Sequence, residues 1–73
     1  MTAAVDRTYA ARWDVDGARG HADTVCCLID SAAAHLDGAR RARAEEILDR
    51  ARFVLADLDQ LRSALDGGRS ADE

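Results

Sequence analysis

From Ala44 onward the chain repeats apolar residues at alternating spacings of four and three: Ala44, Leu48, Ala51, Leu55, Leu58 and Leu65, with Arg62 interrupting. A second stripe, Ile47, Ala51, Val54, Leu58, Leu61 and Leu65, overlaps the first. An α-helix turns about 100° per residue, so the two stripes merge into a face wider than one neighbouring helix covers. The pattern predicts a helix over about 40–66. Charges at helical spacing support its outer side: Arg41 with Glu45, Glu46 with Arg50, Arg62 with Asp66.

A first helix is predicted over about 20–37. It gathers Ala22, Val25, Ile29, Ala32, Ala33 and Leu36 on one side, with Cys26 and Leu28 flanking the stripe and Asp23, Asp30, Ser31 and Ala34 opposite. Asp37-Gly38 supplies a stop, because glycine readily takes the left-handed conformation that closes a helix. So short a link predicts an antiparallel hairpin.

Residues 1–19 carry two patterns at once. Tyr9, Ala11, Trp13 and Val15 alternate as in a strand, whereas Val5, Tyr9 and Trp13 recur every four residues as in a helix. The segment is expected to be an irregular or short-strand arm. Gly17 and Gly20 punctuate its end, and Gly67-Gly68 ends the second helix before a flexible tail over 67–73.

These lengths leave the hairpin unbalanced. At about 1.5 Å per residue the first helix spans roughly 27 Å and the second roughly 40 Å. Leu58, Leu61 and Leu65 then have no opposing helix, and with Arg62 in their midst they form the expected interaction surface. The fold class is all-α: a helical hairpin, expected to dimerise into a four-helix bundle. The alternative is a three-helix bundle in which residues 3–13 form a separate helix.

Composition strengthens the case for a partner. At 73 residues this is one small domain, and sixteen of its residues are alanine, which favours helix but buries little. A domain of this size buries only about 60% of its unfolded surface, and small folds usually recruit further support. Net charge is −4, which argues against a general nucleic-acid binder. All ten basic residues are arginine, which with the alanine suggests a bacterial genome rich in G and C. The longest strongly apolar run is Val25–Ile29, and the first residues lack the apolar stretch of a signal peptide, so no membrane span and a cytoplasmic location are expected.

Candidate chemistry is sparse. His21, Cys26, Cys27 and His35 are the only soft metal ligands, and their helical positions do not converge on one tetrahedral centre, so no metal is expected. Adjacent cysteines do not suit a disulfide inside a helix; Cys27, on the polar side, is the candidate reactive thiol. A thiol or metal site assembled across subunits is one alternative. His35 near a helix end suits the helix dipole. No phosphate-binding glycine loop or catalytic constellation is present, and no cofactor or enzymatic activity is expected. Arg40, Arg41 and Arg43 form a basic knot at the turn. A nucleic-acid-associated regulator using Arg40 to Arg43 is the second alternative, weakened because Glu45 and Glu46 follow at once. Phe53 points away from the apolar face and is expected to receive Tyr9 or Trp13, or to anchor a partner.

The leading expectation is therefore a non-enzymatic protein–protein interaction module. It would be a small regulator, adaptor or chaperone-like protein, homodimeric and open to another bacterial protein as partner.

Overall fold

The computed structural model describes the backbone of residues 2–71 and the side chains of residues 7–66. Two helices account for nearly all of it: α1, Thr2–Ala34, and α2, Gly38–Ala71. They pack antiparallel along their lengths as a hairpin, and no strand occurs among the described residues.

The principal correction is at the N-terminus. Residues 2–19 are not an irregular or strand-like arm, nor a separate third helix; they continue α1 without a break. The reason lies in what the segment packs against. A lone strand has no partner here, whereas in a helix the half-buried Ala11 and Val15 extend the same inward-facing stripe that carries Ala22, Cys26, Ile29, Ala33 and Leu36. The side chain of Val5 lies outside those described.

The glycine stops need the same correction. Glycine ends a helix by turning left-handed, and among the described residues only Gly38 does so, at φ 59°. Gly17 and Gly20 lie inside α1, and α2 runs on through Gly67 and Gly68 to Ala71, past the expected tail boundary. Asp72 and Glu73 lie outside the described residues.

The turn itself is compact. The His35 and Leu36 amides donate to the Ala32 and Ala33 carbonyls at 3.0 and 3.1 Å, tightening the end of α1. The Arg41 amide donates to the Asp37 carbonyl at 3.3 Å and opens the ladder of α2. Gly38 should resist substitution: Gly38→Ala forces a left-handed Cβ and should cost about 1–2 kcal/mol. Gly17→Ala and Gly20→Ala should each gain about 0.5–1 kcal/mol, because an added Cβ meets nothing within 4 Å and glycine weakens a helix interior. Thermal melts of the three variants check these opposite signs.

The core is small and sits toward the turn. Only Cys26, Ala33, Ala44 and Leu48 are buried among the described residues, and three of the four are small side chains. From Ala44 the seam of α2 continues through Ala51, Leu55, Leu58, Arg62 and Leu65, all half-buried. Spacings of four and three run the whole way, as expected from the sequence. Arg62 occupies a seam position.

Candidate interaction surface

The open end of the hairpin is tied by charge. Arg12 meets Asp66 at 3.1 Å, Arg62 Nε donates to Asp16 at 2.6 Å, and Arg19 pairs with Asp59. Signs alternate along each helix and oppose across the gap, so a slip by one turn would bring like charges together. Arg62 also donates to Asp66 within α2. Its guanidinium is held above the ordinary arginine value, first by the hydrogen bond to Asp16 and then by that to Asp66; Arg19 is raised in the same way by Asp59. A cation with a raised pKa contributes stability below its unfolded value and loses it only as pH climbs through the folded one. For arginine that window lies above about pH 12, so the arginine side of these pairs is indifferent to pH near neutrality.

This ladder overturns the premise that Leu58, Leu61 and Leu65 lie beyond the reach of the first helix. Because α1 begins at Thr2, the two helices match in length, at roughly 50 Å each. Leu58 and Leu65 are half-covered in the seam, and Arg62 bridges the helices instead of standing free. Of the four expected surface residues only Leu61 remains exposed, at 47%.

The ladder also fixes which residues share a side. Turning from the seam toward it, α1 presents Asp16, Arg19, Asp23 and Asp30, and α2 presents Arg41, Glu45, Arg52 and Asp59. A cleft of about 420 Å³ on this side is lined by Asp30, Arg41, Glu45, Asp49 and Arg52 among others, which shows the two charged flanks together near the turn. Turning the other way, α1 presents Ala18, Val25 and Ala32, and α2 presents Ile47, Val54 and Leu61, each set spaced by seven. A second, apolar cleft lies at the turn end on the Ile47 side, lined by Leu36, Ala39, Ala44 and Ile47 together with Arg40 and Arg43. The hairpin thus has one charged broad side and one apolar broad side.

Its shape exposes both. The molecule measures 55 × 20 × 11 Å, one helix thick, with a radius of gyration of 16.6 Å. A compact 73-residue domain would have about 11 Å. Its accessible surface is 5700 Å², against roughly 4,400 Å² for a compact monomer of this mass. Val25, Ile47, Val54 and Leu61 are each between 39% and 52% exposed on the apolar side.

The remaining candidates scatter. Tyr9 and Trp13 form an edge-to-face pair with centroids 6.3 Å apart, both exposed on the outside of α1. Phe53 does not receive them. The ladder sets Phe53 level with Val25, roughly 20 Å along the axis from the pair, and it stays 73% exposed. Cys26 lies in the seam, whereas Cys27 is exposed. Among the described residues no group of three histidines, cysteines or carboxylates is placed to hold a metal. In the basic knot, Arg41 pairs with Glu45 at 3.3 Å and Arg43 with Glu46 at 3.2 Å. Glu46 therefore serves Arg43 and not the expected Arg50. No described helix is long and apolar enough to cross a membrane.

No protein family matches the chain, and no curated protein or solved structure matches it.

Proposed function

We propose that this protein is a non-enzymatic interaction module, a small regulator, adaptor or chaperone-like protein that works by laying its helices against other helices. The observation that carries the reading is the apolar broad side of a hairpin only one helix thick. Covering such a side with a second layer of helices is how two-helix units reach a stable core. The excess surface of roughly 1,300 Å² exceeds the 800 Å² or so that each partner contributes to a standard interface. The module is a homodimer closing into a four-helix bundle, with another protein as a further partner. Two unlinked cysteines suit a cytoplasmic setting.

Replacing Val54 by glutamate tests this, because the position is exposed and away from the hairpin seam. The variant should stay helical yet lose association in sedimentation at tens of micromolar, where the native chain associates. Immobilised native chain should also retain a helical partner that the Val54→Glu chain does not. A native chain that neither associates nor retains anything the variant releases would overturn the reading.

A further inference from the structure

Resting on that reading, we infer that the apolar side is covered by a second copy of this chain, stacked face to face about a two-fold axis through the Val25–Val54 level, with the two turns at opposite ends.

The ion-pair ladder sets Arg12 level with Asp66, Asp16 with Arg62 and Arg19 with Asp59. Continued along the helices, it sets Ala18 level with Leu61, Val25 with Val54, and Ala32 with Ile47, each to within one residue. The apolar side is therefore three layers, evenly spaced at seven residues, with paired valines in the middle and one large and one small side chain at either end. A two-fold interface requires a patch complementary to itself, and this one maps onto itself when turned end over end about its middle layer. Val54 then meets its own copy, Val25 meets its own copy, and Ile47 meets the partner subunit's Leu61.

Charge selects this stacking over the one with both turns together. Arg50 and Asp57 border the apolar side, four residues before and three after Val54, and neither joins an ion pair among the described residues. Turning end over end brings Arg50 opposite the partner subunit's Asp57, and the reverse contact repeats it. Stacking with the turns together would leave both groups apart and gather Arg40 and Arg43 of the two copies at one end, where like charges repel.

Cysteine placement tests the arrangement in the full chain. In a Cys26→Ala, Cys27→Ser background that remains helical, Val54→Cys oxidised with diamide should give a covalent dimer in high yield. Arg50→Asp should weaken dimerisation on the order of tenfold, and adding Asp57→Arg should restore it. If sedimentation shows a dimer but Val54→Cys does not cross-link, while Val54→Cys mixed with Val25→Cys does, the end-over-end arrangement is overturned and the interaction module stands. A native chain that is monomeric at tens of micromolar overturns the second copy as occupant. The retention comparison with Val54→Glu then decides the module separately.

Discussion

Leu48→Ala should cost about 2–5 kcal/mol, the usual range for truncating a buried leucine. Leu48 is 5% exposed and is the one large side chain among the four buried residues. The other three buried residues, Cys26, Ala33 and Ala44, are too small to close over the space. A chain of this length has a total stability of about 4–11 kcal/mol, so the loss is a large share of the whole. With about 4–8 °C lost per kcal/mol, the melting temperature should fall by roughly 8–40 °C. Phe53→Ala removes a larger side chain but should change stability by less than about 0.5 kcal/mol, since Phe53 is 73% exposed. Equal effects in thermal melts of the two variants would mean that the seam does not run through Leu48.

Arg62→Asp should loosen the open end of the hairpin and lower the melting temperature by several degrees. Arg62 stands between Asp16 of α1 and Asp66 of α2, and its side chain is 24% exposed. An aspartate there leaves three carboxylates together, with Arg12 as the nearest compensating charge through Asp66. The partial burial of the arginine stem is lost as well. Adding Asp16→Arg restores the opposite charges across the gap and should recover most of the loss. High salt should narrow the difference between native and variant by screening the pairs. A double variant no better than the single one would assign Arg62 a packing role alone.

Much of the fold was legible because α2 is so regular. The four-and-three spacing from Ala44 to Leu65 identified its inner face, and Asp37-Gly38 located the turn. The wide apolar face of α2 also pointed to Ile47, Val54 and Leu61, three of the residues that remain exposed. What misled was local punctuation. Gly17 and Gly20 resemble a boundary, yet a glycine breaks a helix only when its backbone turns left-handed, and theirs does not. A first helix begun at residue 20 leaves Leu58 and Leu65 without an opposing helix and makes Arg62 a break in the stripe. The signal that would have corrected this was in the charges. Arg12, Asp16 and Arg19 mirror Asp66, Arg62 and Asp59 in an antiparallel register, a pattern with no purpose unless residues 12–19 are helical. Val25 belongs to the outer apolar side, because the seam follows Cys26.

The position of the core has a kinetic corollary. Cys26, Ala33, Ala44 and Leu48 all lie within a few turns of Gly38, so the best-buried contacts join residues close together in sequence. Bringing them together closes only a short loop, and hairpins of local contacts fold in microseconds to milliseconds. Formation then runs from the turn outward like a zipper, with the ladder closing last. Amide exchange should follow the reverse order: slowest beside the turn, faster with each step toward Tyr9 and Leu65.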